Sequence, residues 1–457
     1  MSSAEPTPAA TEPEMEGILR RQDARESSAR TYARHLRIVP VRASGMTVEG
    51  ADGRTYLDCL SGAGTLALGH NHPVAVEAMR KVIDSGRPMH TLDIATPEKD
   101  AFTEALFATL PPALARTARI QFCSPAGTDA VEAALKLARS ATGRQGLAAF
   151  TGAYHGMTTG ALAVSGGVAA KARVGGFAGD VTRLPYPYPY RCPLGLGGDL
   201  GACAAAEYAR RLLADPNGGV VPPAAMILEP VQGEGGVVPA PADWLRAMRE
   251  ITRQHGIPLI ADEVQTGMGR TGTLWASEHA GVVPDVLVAS KAIGGGLPLA
   301  VVVYRGDLDV WEPGAHAGTF RGTTLAMATG AATLGYITEN RLAERAASLG
   351  TRMLARLEEL RARYAHIGDV RGRGLMLGVE LVDPEGEPDI LGSLPADPAL
   401  ARAVRAACLD RGLIVELGGR HDTVVRLLPP LIISDDEAET VLERFTDALE
   451  ASTRAAR

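Results

Sequence analysis

Short hydrophobic runs alternate with amphipathic stretches along most of the chain, and this alternation predicts strands and helices in turn. The apolar runs are typical of buried strands and occupy residues 118–123, 147–150, 161–164, 224–228, 257–261, 285–289 and 299–303. Apolar positions with helical spacing predict helices between several of these runs, at residues 129–140, 200–213 and 242–255. We therefore expect an α/β fold with a mainly parallel seven-stranded sheet and helices on both faces.

The two ends of the chain follow other patterns. Residues 1–13 are rich in Ala, Pro, Thr and Glu without periodicity, which predicts a disordered tail. Polar and apolar positions at the ends predict four further structures: a charged helical segment at residues 14–37, a hairpin at 46–60, a long helical stretch at 326–364, and a βαβ-like unit at 368–381 with 400–431. Residues 383–397 are rich in Pro, Gly and Asp and predict a loop between the parts of that unit.

A length of 457 residues suits one large and one smaller α+β domain. We predict that residues 14–71 and 331–457 form the smaller domain and that residues 72–330 form the large one. Residues 182–198 interleave four prolines with three tyrosines. A packed surface loop is the favoured interpretation there, and an aromatic-proline ligand site for another protein is the alternative.

Composition narrows the function further. The net charge is −7 with no basic block, so the sequence predicts no nucleic-acid partner. The five cysteines are widely spaced without a CxxC pair, which favours reduced thiols in the cytoplasm over a disulfide framework or a zinc site. The longest apolar stretch, residues 282–303, is interrupted by charges and glycines, so we expect no membrane span.

Two of the predicted strands end in side chains that can act together. Asp262 follows the run at 257–261, and Lys291 follows the run at 285–289, shortly before three glycines. Ligands of open α/β sheets bind beyond the carboxyl ends of the strands, so both residues would face one site. An amine and a carboxylate placed in this way suit pyridoxal phosphate (PLP), which a lysine holds as a Schiff base while a carboxylate keeps the pyridine nitrogen protonated. Taken singly, each residue also fits a solvated strand end or a turn cap.

The motifs around these two residues resemble a known family. Asp-Glu-Val-Gln-Thr-Gly at residues 262–267 and Ser-Lys at residues 290–291 look like the signature of class III aminotransferases, which have the fold type I PLP-dependent architecture. Further family motifs follow in the expected order from about residue 44 to residue 433. The resemblance implies PLP as the cofactor, with Lys291 and Asp262 as catalytic residues.

The resemblance also implies which residues hold the cofactor. Val264 would pack under the ring, and Gln265 would hydrogen-bond to the ring hydroxyl. The other implied cofactor contacts are Gly127, Thr128, Tyr154 and Glu229 of the same chain and Thr319 of a neighbouring subunit. A contact from Thr319 to the neighbour's cofactor phosphate would require a homodimer with its active sites at the subunit interface.

One of these contacts has physical support from the sequence itself. Residues 124–132 join a predicted strand to a helix, and their small side chains expose backbone N–H groups at the helix N-terminus. Such a terminus favours an anion such as a phosphate. Asp129 and Glu132 also fit a capping box, which would give the segment a purely structural role.

A further pair concerns the substrate. Arg426 lies inside an apolar run, where an unpaired charge is costly, so we expect it to bind a carboxylate. By resemblance, Glu234 pairs with this arginine and releases it when a carboxylate substrate binds.

The resemblance also implies that Gly62, Ala63 and Gly64 line the mouth of the site. His70 and His72 are interpreted as structural residues, since alternate positions of an extended segment point to opposite faces, and we predict no metal site.

The substrate prediction depends on finer resemblances. Ser-Gly-Ala-Gly at residues 61–64, Thr-Phe-Arg-Gly at residues 319–322 and the segment at 291–299 resemble the branch acting on 2,4-diaminobutyrate. The family implies L-glutamate and 2-oxoglutarate as one substrate pair, and the branch implies L-2,4-diaminobutyrate and L-aspartate 4-semialdehyde as the other, by a ping-pong mechanism. The alternatives are a transaminase of ornithine, acetylornithine or 4-aminobutyrate, a semialdehyde aminomutase, or a PLP-fold binding protein without activity.

Overall fold

The computed structural model of the chain describes residues 12–172, 174–175 and 180–455. Its strands are β1 (Pro40–Ser44), β2 (Thr47–Gly50), β3 (Thr55–Asp58), β4 (Ala118–Phe122), β5 (Leu147–Phe150), β6 (Val181–Leu184), β7 (Ala225–Leu228), β8 (Val231–Gln232), β9 (Val238–Pro239), β10 (Leu259–Asp262), β11 (Val286–Ala289), β12 (Val301–Arg305), β13 (Ile367–Arg373), β14 (Met376–Leu381), β15 (Leu413–Ile414), β16 (Glu416–Gly418) and β17 (Val424–Leu427).

The helices are α1 (Glu12–Arg25), α2 (Ser61–Gly64), α3 (Pro73–Asp84), α4 (Pro97–Phe107), α5 (Pro112–Ala115), α6 (Gly127–Thr142), α7 (Thr159–Val164), α8 (Val168–Lys171), α9 (Gly198–Ala214), α10 (Ala242–Gln254), α11 (Thr324–Glu339), α12 (Leu342–Arg363), α13 (Pro398–Asp410) and α14 (Asp435–Ala455). Short 3-10 helices cover Tyr32–Arg34, Ala276–Ala280, Lys291–Gly294, Gly306–Leu308 and Arg420–Asp422. Among the described residues, no helix has the length and apolar character that a membrane span requires.

A seven-stranded sheet forms the centre of the molecule, in the order β4-β12-β11-β10-β7-β5-β6. Five neighbouring strands, from β11 to β6, run parallel, and β12 is antiparallel to both β11 and β4. Parallel strands of such a sheet are buried on both faces, which explains why their sequences are continuous apolar runs. The predicted fold class with its mainly parallel seven-stranded sheet is confirmed, although one of the seven strands is β6 and not the predicted run at residues 161–164.

Helices cover both faces of this sheet. On one face, the apolar side of α6 packs on alternate strand residues such as Ile227, Ile260 and Val288. On the other face, α9 and α10 pack on the intervening residues, among them Phe150 and Met226. Successive strand side chains point to opposite faces, so each strand contributes to both cores. The carboxyl ends of β10 and β11 are left uncovered by these helices and are available for a site.

Among the described residues, the two-stranded antiparallel pair β8-β9 and two four-stranded sheets complete the fold. One has the order β1-β2-β3-β15, so a strand from near the C-terminus extends the predicted N-terminal hairpin. The other has the order β13-β14-β17-β16 and is antiparallel throughout. The predicted βαβ-like unit is therefore wrong in its strand direction, because β17, which follows α13, runs antiparallel to β14, and because β13 and β14 form a hairpin. The boundaries of the large and small domains remain a prediction.

Four further expectations need correction. The apolar run at residues 161–164 lies in helix α7, because Glu132 Oε1 accepts hydrogen bonds from the first-turn N–H groups of Gly160 (2.7 Å) and Ala161 (3.1 Å). Strand β6 occupies the start of the predicted loop at 182–198 and pairs with β5. The helical stretch at 326–364 is broken into α11 and α12 at Arg341, whose φ is 52°. The segment at 14–37 forms a helix only to Arg25. Residues 1–11 of the predicted disordered tail lie outside the described residues, and α1 begins at Glu12.

Candidate active site

A cavity of about 270 Å³ lies at the carboxyl ends of β10 and β11. Nine residues predicted from the sequence line it: Gly127, Thr128, Tyr154, Glu229, Glu234, Asp262, Val264, Gln265 and Lys291. They come from six separate segments of the chain. The sheet brings Asp262 and Lys291 together because Asp262 ends β10 and pairs in register with Val288 of β11, three residues before the lysine.

Lys291 enters the cavity from a strained backbone position. Its φ is 52°, in the left-handed region that residues other than glycine rarely adopt. The 3-10 helix Lys291–Gly294 begins at this residue. Among the three glycines that follow, Gly295 lets the backbone approach helix α11 closely. An added Cβ on Gly295 would lie 2.5 Å from Thr333 Oγ1. Burial lowers the pKa of the Lys291 amine, and the nearby Arg426 charge acts in the same direction, while Glu234 and Asp262 oppose them.

Asp262 is held in place by two hydrogen bonds. Its Oδ1 accepts from the backbone N–H of Val264 at 3.1 Å, and its Oδ2 lies 2.7 Å from His155 Nδ1. The His155 side chain is fully buried. Ser165 Oγ accepts from the His155 backbone N–H at 2.9 Å, which fixes this part of the loop. A buried carboxylate oriented in this way is suited to pairing with a fixed cationic group in the cavity.

The residues of the cavity fit PLP. Gln265 donates through Nε2 to the carbonyl of Ala63 at 3.1 Å, while its Oε1 is buried without a hydrogen-bond partner among the described residues. Such an acceptor is costly unless a bound group donates to it, and the ring hydroxyl of PLP is a suitable donor. A Cβ added to Gly127 would lie 3.1 Å from Val264 Cγ1, so glycine keeps the space above that side chain open.

Helix α6 begins at Gly127 beside this cavity, and Ala126 at its N-cap provides no side-chain cap. The capping box considered for Asp129 and Glu132 does not form. Asp129 Oδ2 accepts from the backbone N–H of Ser124 at 2.7 Å, and Glu132 caps α7 instead. Thr128 Oγ1 lies 2.7 Å from Thr158 Oγ1. The positive end of the helix dipole is therefore directed at the cavity without a protein carboxylate in the N-cap position, as an anion site requires.

Glu229 supports the other wall of the cavity. Its two carboxylate oxygens accept from the backbone N–H groups of Tyr154 (2.9 Å) and Gly233 (3.0 Å). Burial raises the pKa of Glu229 to about 7, with His155 opposing and Asp262 adding to the shift. The Tyr154 ring is 42% exposed, so one face of it is free to stack on a planar ligand.

Arg426 and Glu234 form a bidentate ion pair next to the cavity. The Nη1–Oε1 distance is 2.8 Å and the Nη2–Oε2 distance is 3.0 Å. Arg426 is 1% exposed on strand β17, whereas the Glu234 side chain is 32% exposed on the turn between β8 and β9. Arg426 Nε has no hydrogen-bond partner among the described residues. The arginine is therefore fixed, and its carboxylate partner is the more accessible member of the pair.

The remaining predicted residues lie around the cavity rather than in its lining. Gly62 and Ala63 have left-handed backbones, and the Ala63 carbonyl bonds to Gln265. Gly64 is also close, since an added Cβ would lie 3.6 Å from Gln265 Cγ. Thr319 is exposed and does not line the cavity. The contact predicted for Thr319 belongs to a neighbouring subunit and stays a prediction.

Sequence reasoning missed three lining residues, His155, Gly156 and Met157. They directly follow Tyr154, so their place in the cavity follows once Tyr154 is assigned. The contact of His155 with Asp262 joins residues 107 positions apart, and nothing in the local sequence pattern indicates it. His70 and His72 have the expected structural roles: His70 Nε2 lies 2.8 Å from Asp58 Oδ2, and His72 caps helix α3.

Comparisons with known proteins agree with this site. The family model of aminotransferase class-III matches residues 28–449. A diaminobutyrate–2-oxoglutarate aminotransferase of Rhizobium meliloti is 57% identical over 96% of this chain and 93% of its own. An enzyme of the same name from Haemophilus influenzae is 48% identical over 94% of each chain.

Solved structures show the same fold. An (S)-enantioselective omega-transaminase from Thermomicrobium roseum superposes with a TM-score of 0.85 at 29% identity, over 96% of this chain and 98% of the other. A PLP-bound amine transaminase from an uncultivated Pseudomonas species gives a TM-score of 0.83 at 30% identity, over 94% and 98% of the two chains. With the cavity, its lysine and these relatives in agreement, the chain belongs to the class III aminotransferases and is a PLP-dependent enzyme.

Proposed function

We propose that the enzyme moves an amino group between L-2,4-diaminobutyrate and 2-oxoglutarate, giving L-aspartate 4-semialdehyde and L-glutamate, by a ping-pong mechanism. The observation that carries this proposal is the Arg426–Glu234 pair beside the cavity that contains Lys291. The two relatives named above share the proposed activity in their names. In a ping-pong mechanism, the two half-reactions would use the same residues in turn.

Lys291 is the proposed general base and acid. Bound PLP supplies an electron sink that weakens the bonds at the substrate's amine-bearing carbon. Lys291 would hold the cofactor between turnovers, then take the proton from that carbon and return one during each half-reaction. A base must be neutral to accept a proton, and burial lowers the pKa of this amine in the direction that the role requires.

The other lining residues would orient the cofactor. Asp262, held by His155, would keep a proton on the pyridine nitrogen, and Gln265 would accept from the ring hydroxyl through its unpartnered Oε1. The proposed remaining contacts are Val264 and Tyr154 against the ring, Gly127 and Thr128 at the phosphate, and Glu229 as the support of the Tyr154 loop.

The ion pair would let one site accept two different donors. Glutamate has a carboxylate that Arg426 can bind through two parallel hydrogen bonds once Glu234 moves away. Diaminobutyrate reacting through its 4-amino group has no carboxylate in the same position, so Glu234 would stay on Arg426 and cancel its charge. The half-exposed position of Glu234 leaves space for this movement. Gly62, Ala63 and Gly64 would border the entrance used by both substrates.

A homodimer with active sites at the subunit interface completes the proposal. Thr319 is exposed beside Phe320, and the exposed apolar side chains nearby include Met89, Leu92 and Ile94. An apolar groove of about 520 Å³ lies between α3, α4 and α11. Exposed apolar patches of this kind mark interaction sites in otherwise polar surfaces. Mass photometry of the purified enzyme should give twice the 47.8 kDa chain mass.

One experiment decides between this substrate pair and the other class III substrates. The purified enzyme is incubated with 2-oxoglutarate and each of diaminobutyrate, ornithine, acetylornithine and 4-aminobutyrate, and the glutamate formed is quantified. We expect diaminobutyrate to have the highest kcat/KM. A higher value for any of the other three donors would replace diaminobutyrate as the substrate, and glutamate-independent isomerisation would indicate an aminomutase.

A further inference from the structure

The loop at residues 185–191 contains a buried tyrosine held between two arginines. Tyr188 is 2% exposed, and its ring centroid lies 4.8 Å from the Arg371 guanidinium carbon and 4.9 Å from that of Arg420. Arg371 lies on β13 and Arg420 on the 3-10 helix Arg420–Asp422. Cation–aromatic contacts of this kind strengthen when water is excluded. They attach the loop firmly to β13 and to the 3-10 helix Arg420–Asp422.

Carboxylates complete this buried cluster. Arg371 Nη1 donates to Glu380 Oε2 at 2.8 Å and to Asp369 Oδ2 at 2.7 Å, while Tyr188 and Arg191 also donate to Glu380. Arg371 is 8% exposed and Glu380 1% exposed. Since buried charges of both signs are paired here, the position of the Arg371 guanidinium is determined from several directions.

Arg371 also contacts the turn that carries Glu234. Its Nε donates to the Gly236 carbonyl at 2.9 Å. On the other side of the turn, the backbone N–H of Gly419 donates to the Glu234 carbonyl at 2.8 Å. Strands β8 and β9 flank this turn, and three of the five residues between them are glycines. Arg371 of β13 and Gly419, which directly follows β16, therefore hold the backbone of the Glu234 turn at two points.

The anchors matter because glycines leave a turn free to adopt many conformations. Gly233, Gly235 and Gly236 provide no side chains to pack, so the turn by itself would not hold Glu234 in one place. The Glu234–Arg426 pair needs two parallel hydrogen bonds with defined geometry. A fixed backbone lets Glu234 leave and return by side-chain rotation alone.

We propose that Arg371 is a positioning residue for substrate selection, which fixes the Glu234 turn through the Gly236 carbonyl so that Glu234 can neutralise Arg426 during the diamine half-reaction. The inference rests on the proposed function, because it assigns a purpose to the Glu234–Arg426 exchange. It also gives the tyrosine loop a role, since Tyr188 and its neighbours hold Arg371 in place. The loop then acts on selectivity without contacting the substrate.

The test is Arg371→Lys, measured as single-turnover rates of the two half-reactions in the PLP-loaded enzyme. Lysine keeps the positive charge near Glu380 and Asp369 but has no planar group that reaches both these carboxylates and Gly236. We expect the diamine half-reaction to slow about five- to ten-fold, as for a displaced positioning group, and the glutamate half-reaction to change less than about two-fold. Arg361→Lys is the matched control, because Arg361 lies 3.8 Å from the same Asp369 on a half-exposed helix surface and does not touch the turn.

A double variant distinguishes positioning from general damage. In a Glu234→Ala background, Arg371→Lys should add nothing to the loss in the diamine half-reaction, since Arg371 acts through Glu234. If Arg371→Lys slows both half-reactions equally, or adds its full effect in the Glu234→Ala background, the inference is overturned. Tyr188→Phe, which removes only the hydroxyl bond to Glu380, should shift the ratio of the two rates in the same direction and serves if Arg371→Lys does not fold. An unchanged ratio in Tyr188→Phe would then count against the inference.

Failure of the proposed function would look different. If Glu234→Ala and Arg426→Ala themselves leave the ratio of the two half-reactions unchanged, the exchange between Glu234 and substrate does not occur. If those two variants separate the half-reactions and Arg371→Lys does not, only the positioning role of Arg371 is wrong.

Discussion

The two ends of the cavity are built in opposite ways. At the Lys291–Asp262 end, side chains extend from the sheet, and the Asp262 carboxylate is held at both oxygens. At the Glu234–Arg426 end, the arginine is buried on a strand but its partner lies 32% exposed on a glycine-rich turn. A chemical step needs groups fixed within a fraction of an ångström, whereas acceptance of two donors needs one group that moves. In the proposed function, the precise end is therefore built at strand ends and the adaptable end on a turn.

The largest effect is expected at the rigid end, from Lys291→Ala. The variant should fold but lose at least about a thousand-fold in activity, because cofactor attachment and proton transfer are lost together. Lys136→Ala is the control, since Lys136 is exposed on helix α6 outside the cavity. Borohydride reduction of the wild type followed by peptide mapping should place the cofactor label on Lys291. A label on another lysine would show that the strand-end assignment is wrong.

The second prediction tests whether the fixed carboxylate has a chemical role. Asp262→Asn should bind PLP and lose on the order of a hundred-fold in kcat, because a neutral amide does not hold a charged pyridine nitrogen. Asp285→Asn is the matched control. Asp285 is a buried aspartate at the opposite end of strand β11, paired with Arg249 and Arg305, and its loss should lower Tm while kcat stays close to wild type. Near-normal turnover of Asp262→Asn would remove Asp262 from the chemistry.

The third prediction concerns the adaptable end. Arg426→Ala should slow the glutamate half-reaction by roughly thirty-fold or more, since a lost bidentate contact to a carboxylate costs about 2–5 kcal/mol. The diamine half-reaction should suffer less. Glu234→Ala should show the reverse pattern, because Arg426 would then remain charged and unpaired beside the diamine.

Separate single-turnover measurements of the two half-reactions test this pair of variants. Arg405→Ala is the control, because Arg405 of α13 pairs with Glu416 of β16, the strand next to β17, and does not line the cavity. Equal losses in both half-reactions for Arg426→Ala would show that the arginine has a structural role, and the comparison between a rigid and an adaptable end would no longer hold.

The same contrast explains what could be predicted from the sequence. Six of the seven strands of the central sheet were predictable because burial produces continuous apolar runs, such as residues 285–289 before Lys291, whereas β6 was predicted as part of a loop. Asp262 and Lys291 were selected by their places at strand ends, and their assignment as catalytic residues came from the resemblance to class III aminotransferases. The run at 161–164 was misread as a strand, because four apolar residues fit a buried helix as well as a strand, and the contact of the helix start with the distant Glu132 is not visible in the local pattern.

Contacts between distant segments were not predictable. His155 meets Asp262 across 107 positions, and Arg371 meets Gly236 across 135. Each of these residues has an unremarkable local pattern, so its role depends on the packing of whole domains. The hairpin of β13 and β14 was missed for a related reason, since the tight turn at Gly374, with φ of 54°, divides residues 368–381 into two antiparallel strands.

The last prediction concerns stability rather than activity, at Glu229, where the rigid end meets the turn. Its pKa is raised to about 7 by burial, whereas an unfolded glutamate ionises near 4.5. Between these two values the unfolded chain releases the proton first, so the folded state binds more protons and stability falls as pH rises. The contribution is fully present below about pH 4.5 and is lost as pH passes 7, with a total on the order of 3 kcal/mol.

Glu229→Gln separates this proton from the hydrogen bonds. The amide has one oxygen, so it accepts from only one of the two N–H groups of Tyr154 and Gly233. The second N–H group is left without an acceptor, which costs about 1–3 kcal/mol at every pH. The stability advantage of the wild type over Glu229→Gln should therefore be larger at pH 5 than at pH 8, as measured by urea denaturation of the cofactor-free proteins. Glu250→Gln, on the exposed side of α10, should show no such trend. A difference between wild type and Glu229→Gln that is constant from pH 5 to pH 8 would mean that Glu229 is ionised throughout this range, and the wall of the cavity between its two ends would then carry a fixed negative charge.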